Sequence, residues 1–291
     1  MPLLVTSASG ANGNGYGALL AFAGDGKPLG TFSDDARIVD PRGLAVDPTE
    51  ELLFLNSGAN RVLALDRNGK VIRDTGAIDG LNPGGGNFGP DGRYYVGLRS
   101  TRTVMALSTD LEAPDEPVVA PGIVPFPRGF AFGHDGRLFL ASGIGPGGQG
   151  DNTIVAFVRG KRDSPSRLVN DPELSPLDLA VAPNGNVVVS SEHPFGANDA
   201  VTTVRKYDAH DGHLVRVFFP HRSADFRRPR GLRFGRDGHL YCVAQDAVVA
   251  FDFVTGAFLG TPVRFPRLHG QALAFFPIGE THRVGPRSQK E

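Results

Sequence analysis

Short apolar runs dominate the pattern of hydrophobic and polar positions along this chain. Residues 43–46, 138–140 and 187–189 are such runs, and turns rich in Gly, Asp and Asn separate them from their neighbours. Apolar runs of this length between turn residues are typical of buried β-strands. We find no 10–15-residue segments of helical period between them, as a βαβ protein would have. The pattern therefore predicts an all-β fold.

A unit of about 40 to 50 residues recurs along the chain, as it does in β-propellers. Its copies read PRGLAVDP, PGGGNFGPDG, PRGFAFGHDG, PLDLAVAPNG, PRGLRFGRDG and, in degenerate form, GQALAFFPIG, and they begin at Pro41, Pro83, Pro127, Pro176, Pro229 and Gly270. Most copies end in an Asp-Gly or Asn-Gly pair, which suits a tight hairpin. Further apolar runs follow each pair. The repeat predicts four antiparallel strands per unit.

The two ends of the chain each hold part of one unit. The sixth copy has a first strand near residues 272–276 and then turns polar, whereas the N-terminus has the complementary strands within residues 3–32. We expect the termini to share one blade, because that pairing closes the ring and leaves no open edge between them. The prediction is a single six-bladed β-propeller over residues 1–280, followed by a flexible polar tail at 281–291.

Composition and charge narrow the possible partners. The chain has 30 Lys and Arg against 31 Asp and Glu, so it lacks the basic excess of most nucleic-acid binders. Its single cysteine, Cys242, excludes a disulfide framework and a cysteine zinc site. No run approaches the ~20 apolar residues of a membrane span, and the N-terminus does not read as a signal peptide. We expect a cytoplasmic protein that binds neither nucleic acid nor membrane.

The repeat resembles a known group of propellers. The Pro-x-Gly-apolar opening, followed in the first copy by Asn60-Arg61-Val62, resembles the NHL repeat and the six-bladed group of gluconolactonase/senescence-marker proteins and streptogramin lyases. This resemblance implies fold more than function, since one fold hosts many activities. In the lactonase group it implies a divalent metal on the axis, held by Asn, Asp and Glu where the inner strands begin.

At that position this chain departs from the lactonase pattern. The residue after the opening proline, or its equivalent, is Arg42, Gly84, Arg128, Leu177, Arg230 or Gln271 in successive copies. Equivalent positions converge on the axis of a closed ring, and three guanidinium groups there need an anion or acidic partners between them. Two alternatives stay open: a substrate anion bound by Arg42, Arg128, Arg230 and Gln271, or local pairing with acids such as Asp40, Asp178 and Asp225.

Candidate catalytic and metal-binding residues lie near the same face. The long loops that join second to third strands, residues 7–17, 142–152 and 190–200, open where the inner strands begin. One of them carries Glu192 and His193, an acid–imidazole pair suited to general-base chemistry, and His269 precedes the sixth inner strand. Asp178 is the candidate ligand for a single divalent ion (Ca²⁺, Mg²⁺ or Zn²⁺), although no cofactor is required by the sequence.

Two functions from different classes follow. The first is a small-molecule enzyme of hydrolase or lyase type, with an anionic substrate bound at the axis by arginines. The alternative is a non-catalytic NHL-type propeller that serves as a protein-interaction or ligand-binding module. The sequence thus leaves open whether the protein is an enzyme.

Overall fold

The structure is a computed structural model that describes residues 1–8, 17–112, 116–144, 150–218 and 224–279. The described residues form 23 β-strands. In chain order these are β1 (Leu3–Ser7), β2 (Ala18–Phe22), β3 (Pro28–Ser33), β4 (Gly43–Val46), β5 (Leu53–Ser57), β6 (Arg61–Leu65), β7 (Val71–Asp74), β8 (Pro83–Phe88), β9 (Tyr94–Leu98), β10 (Thr103–Leu107), β11 (Pro127–Phe132), β12 (Leu138–Ile144), β13 (Gly150–Phe157), β14 (Ser166–Asn170), β15 (Pro176–Val181), β16 (Val187–His193), β17 (Val201–Tyr207), β18 (Leu214–Phe218), β19 (Leu232–Phe234), β20 (Leu240–Val243), β21 (Ala247–Phe251), β22 (Phe258–Arg264) and β23 (Leu273–Phe275). Within these ranges, no helix has the length and apolarity that crossing a membrane requires.

The strands pair into six antiparallel sheets, one for each predicted repeat. We number them blade 1 (β4–β7), blade 2 (β8–β10), blade 3 (β11–β14), blade 4 (β15–β18), blade 5 (β19–β22) and blade 6 (β23, β1, β2, β3). In blade 2 an isolated bridge between Val104 and Val119 stands beside the third strand where the other blades have a fourth. The predicted six-bladed propeller is confirmed.

The hydrophobic core lies between the blades. Each of the six buried clusters joins two neighbouring blades, and together they run around the complete ring. Strand β1 shows why: Leu4 packs toward blade 1, whereas Leu3 and Val5 pack toward blade 5. Side chains alternate along a strand, so a strand buried on both faces reads as an uninterrupted apolar run.

Blade 6 closes the ring, as the sequence predicted. Strand β1 from the N-terminus pairs with β23 from the C-terminal region, with Leu3 opposite Phe275 and Val5 opposite Leu273. The Thr6 hydroxyl also accepts a hydrogen bond from the Ala272 backbone N–H at 2.9 Å. The predicted tail at 281–291 lies outside the described residues, as do parts of two of the predicted long loops (9–16 and 145–149).

Every blade has the same strand order from the axis outwards, and in five of the six a hairpin joins the first strand to the second. Gly92 and Gly136, the second residues of two Asp-Gly pairs, have φ of 77° and 80°, a conformation that glycine adopts without strain. All inner strands therefore begin on one face of the ring. The residues that open each repeat meet there around the axis.

Candidate functional site

A cavity of about 300 Å³ occupies the axis where the inner strands begin. Glycine backbone forms much of its wall, because neighbouring inner strands approach closely around the axis. A Cβ atom added to Gly43 would lie 2.7 Å from the carbonyl oxygen of Gly84 in the next blade, and one added to Gly129 would lie 2.6 Å from the Cα of Asp178. Only residues without a side chain fit at these two positions. The longer side chains around them therefore supply the chemistry of the cavity.

An ion pair forms one wall of this cavity and joins three blades. Asp178 of blade 4 accepts hydrogen bonds from Arg233 Nη1 at 3.1 Å and from the Leu232 backbone N–H at 3.1 Å in blade 5. Arg233 Nη2 also donates to the Leu44 carbonyl oxygen of blade 1 at 3.1 Å. Burial raises the pKa of Asp178, while the charge of Arg233 and the backbone donors oppose that shift. Arg233 thus links inner strands from opposite sides of the ring.

Two of the three predicted axial arginines pair with acids. Arg42 donates from Nε to Asp40 Oδ2 at 2.8 Å and from Nη1 to the side-chain oxygen of Asn82. Arg230 Nη1 lies 3.1 Å from Glu192 Oε2 and 2.8 Å from the carbonyl oxygen of Pro229. Local acid pairing, one of the two alternatives left open by the sequence, therefore applies to Arg42 and Arg230. Of the acids named there, Asp40 and Asp178 line the cavity, whereas Asp225 pairs with Arg264.

Arg128 has no carboxylate partner among the described residues. Its Nη2 donates to the carbonyl oxygen of Ile144 at the end of β12. Burial, followed by the positive charges of Arg99 and Arg230, lowers the pKa of Arg128 to about 10. The side chain stays protonated at neutral pH, but in surroundings that disfavour its charge. An anion placed beside it would relieve that penalty.

Arg99 is a further cavity-lining cation that the sequence analysis did not identify. It follows β9 directly, the residue is exposed, and within the described ranges it makes no ion pair. Desolvation by the surrounding protein lowers its pKa, and Arg42 and Arg230 lower it further, whereas Asp40 raises it. The sequence analysis considered only the residue after each opening proline. Arg99 lies at the end of a second strand instead.

The strand register shows that Arg99 and Glu192 occupy equivalent positions. Leu98 pairs with the opening proline Pro83 in blade 2, and Ser191 pairs with the opening proline Pro176 in blade 4. Arg99 and Glu192 are the next residues in each case; Glu192 pairs with the axial Arg230, and Arg99 lines the same cavity. Reading this second ring of positions in the repeat would have found Arg99.

One aromatic ring lies at the cavity between two of the arginines. Phe195 follows β16, and its ring centroid is 5.9 Å from Arg128 Cζ and 5.6 Å from Arg230 Cζ. A guanidinium over an aromatic face at this distance is a favourable cation–π contact. Phe195 is half-buried and lines the cavity, so it also offers an apolar surface to a ligand.

The predicted catalytic residues occupy separate environments. Glu192 is buried and accepts its hydrogen bond from Arg230, whereas His193 Nδ1 lies 3.1 Å from the Ser175 hydroxyl oxygen. Adjacent residues of one strand point to opposite faces, which explains the separation. His269 is exposed, and neither histidine is among the described residues that line the cavity. Gln271 does line it. The catalytic roles of Glu192, His193 and His269 stay predictions.

The axial residues described here do not fit a divalent metal ion. Asp178 Oδ2 and Glu192 Oε2 already accept hydrogen bonds from guanidinium groups, and Arg128 adds an uncompensated positive charge. The described ranges hold one cluster of potential metal ligands, Asp208, Asp211 and His213, which lies in the turn between β17 and β18. In the blade topology this turn lies at the end opposite the cavity. The role predicted for Asp178 as a metal ligand therefore gains no support from its contacts.

The fold and this cavity define the chain as a six-bladed β-propeller with a cationic axial site. The chain is similar to streptogramin B lyase (TM-score 0.61, 14% identity, covering 83% of this chain and 74% of that one). It is also similar to a gluconolactonase from Xanthomonas campestris (TM-score 0.62, 19% identity, 82% and 84% covered) and to a chain of a nidogen–laminin complex (TM-score 0.70, 13% identity, 94% and 97% covered). No family model and no curated protein matches the sequence.

These similarities confirm the predicted resemblance to gluconolactonase-like and streptogramin-lyase propellers at the level of the fold. At such identities they show the fold alone, because six-bladed propellers host both enzymes and binding proteins. The assignment of the repeats to the NHL type stays a prediction.

Proposed function

We propose that this propeller binds a small organic anion, carrying a carboxylate or a phosphate, in its axial cavity. One observation carries the proposal: Arg99 and Arg128 line the cavity, and neither has a carboxylate partner among the described residues. Arginine suits this ligand, because its planar guanidinium can donate two parallel hydrogen bonds to a carboxylate or phosphate. A cavity of about 300 Å³ is at the small end of ligand pockets.

Turnover of the bound anion by hydrolase or lyase chemistry is a second candidate function. It is favoured by Asp178, a cavity carboxyl whose pKa is raised by burial, as the pKa values of catalytic acids and bases often are. Streptogramin B lyase and the gluconolactonase are similar in fold and are enzymes by name. The ion pair of Asp178 with Arg233 argues against this candidate, because it stabilises the charged form of the carboxyl that would take or give a proton.

The experiment is a calorimetric and thermal-shift screen of carboxylates, phosphate esters, sulfate and inorganic phosphate in a buffer of low ionic strength. At least one anion should stabilise the protein, and R128Q should weaken its binding about tenfold or more, the loss of one charge-assisted hydrogen bond. The matched control is R167Q, since Arg167 is an exposed arginine on the outer strand of the same blade. If no anion stabilises the protein, or if R128Q binds as well as wild type, the proposal is wrong.

A further inference from the structure

Positive charge at the axis exceeds negative charge by two. Among the described residues, five guanidinium groups line the cavity: Arg42, Arg99, Arg128, Arg230 and Arg233. Three carboxylates compensate them, namely Asp40, Asp178 and Glu192, each in an ion pair with a different arginine. Protonation of Asp178 would raise the excess to three, so two is the lower value. The uncompensated charges belong to Arg99 and Arg128.

These two cations come from neighbouring blades and line the same cavity. A Cβ atom added to Gly84 would lie 3.2 Å from Arg99 Cγ, and one added to Gly143 would lie 3.5 Å from Arg128 Nε. Arg99 is also the neighbouring charge that lowers the pKa of Arg128 most. Both guanidinium groups therefore contribute their positive charge to the same cavity, and a ligand held there is exposed to both charges.

We infer that the ligand is a small organic dianion, a phosphate monoester or a dicarboxylate, whose two negative charges pair with Arg99 and Arg128. This inference rests on the proposed function and goes beyond it in the charge of the ligand and in the second residue that reads that charge. A monoanion compensates the charge of one guanidinium and leaves the charge of the other uncompensated in the same cavity. A dianion compensates both. Phe195, beside Arg128, supplies the surface for the organic part of the ligand.

The test compares matched ligands that differ by one negative charge and only slightly in size. Titration calorimetry at pH 7.5 would measure phenyl phosphate against its methyl diester, and succinate against succinamate. In wild type, we expect the dianion of at least one pair to bind about tenfold or more tightly than its monoanion, one charge-assisted contact. In R99Q that preference should fall to roughly twofold or less, because one of the two cations that read the charge is gone.

Two variants keep the result interpretable. R128Q should reduce the preference in the same way as R99Q, and thermal unfolding of each variant shows whether it is folded. R167Q, on the outer strand of blade 3, should keep the wild-type preference. Equal binding of dianion and monoanion by wild type, or an unchanged preference in both R99Q and R128Q, would overturn the dianion inference while leaving anion binding intact. Absence of binding by every anion would overturn the proposed function as well.

Discussion

Replacing Glu192 with glutamine should make the protein less stable and a better anion binder at the same time. Glu192 is buried, and among the described residues its ion-pair partner is Arg230 at 3.1 Å. The substitution keeps the shape of the side chain but removes its charge. The uncompensated positive charge around the cavity therefore rises from two to three.

The two expected magnitudes follow from the same ion pair. A hydrogen bond between charged groups contributes about 1.5–3 kcal/mol, and Arg230 is partly solvated and keeps its bond to the Pro229 carbonyl, so we expect a loss of about 1–2 kcal/mol in the free energy of unfolding. For an anion about 8 Å from the removed carboxylate, an effective dielectric of about 20 gives about 2 kcal/mol of relieved repulsion. That energy corresponds to a dissociation constant lower by roughly thirtyfold.

Urea unfolding of the free protein and titration calorimetry with the tightest anion measure the two effects separately. The control is E50Q, since Glu50 pairs with Arg236 at the hairpin turns, away from the cavity. E50Q should leave anion affinity unchanged, and the gain in E192Q should shrink in high salt because ions screen the charges. If E192Q binds the anion no better than wild type at low salt, Arg230 does not contribute its charge to the ligand, and the charge account of this cavity is wrong.

Two further predictions concern ion pairs that hold the fold. R233M removes both donors of Arg233 and leaves Asp178 buried without its cation, so we expect the free energy of unfolding in urea to fall by about 2–4 kcal/mol. Adding D178N should recover part of this loss. A double variant no more stable than R233M would contradict the prediction. Arg37 lowers the pKa of Asp35 to about 2, chiefly through its side-chain hydrogen bond, so this carboxylate stabilises the fold above its unfolded pKa near 3.8 and loses that contribution as the pH falls toward 2. The free energy of unfolding of wild type should exceed that of D35N by about 1 kcal/mol at pH 7, a value reduced by solvent screening of this partly exposed pair. The difference should vanish as the pH falls to about 2. A constant difference in urea unfolding from pH 7 to pH 2 would refute the assignment.

The fold was predictable because its determinants are local and repeated. The Asp-Gly turns need only the conformational freedom of residues such as Gly92 and Gly136, and both adopt positive φ in the structure. Strand β1 opens on the uninterrupted apolar run Leu3–Val5, because blades on both of its faces bury it. Its pairing with β23 was predictable as well, since each end of the chain carried the strands that the other lacked.

The site was predictable only in its location. Equivalent positions of a repeat converge on the axis, so the sequence alone brought Arg42, Arg128 and Arg230 to one place, and the structure finds all three lining one cavity. Arg99 was missed because it belongs to a different ring of the repeat, at the end of a second strand. The pairing of Glu192 with Arg230 rather than with its neighbour His193 was missed as well.

The sequence by itself thus determined the number of blades, their turns, the closure of the ring and the face on which its arginines lie. Tertiary structure alone decided which of those arginines are compensated. Arg230 meets Glu192 from 38 positions away, and Arg233 reaches the carbonyl of Leu44 from 189 positions away. The charge of an arginine is written in the sequence, but its electrostatic environment depends on distances between residues far apart in the chain, and only closure of the ring sets those distances.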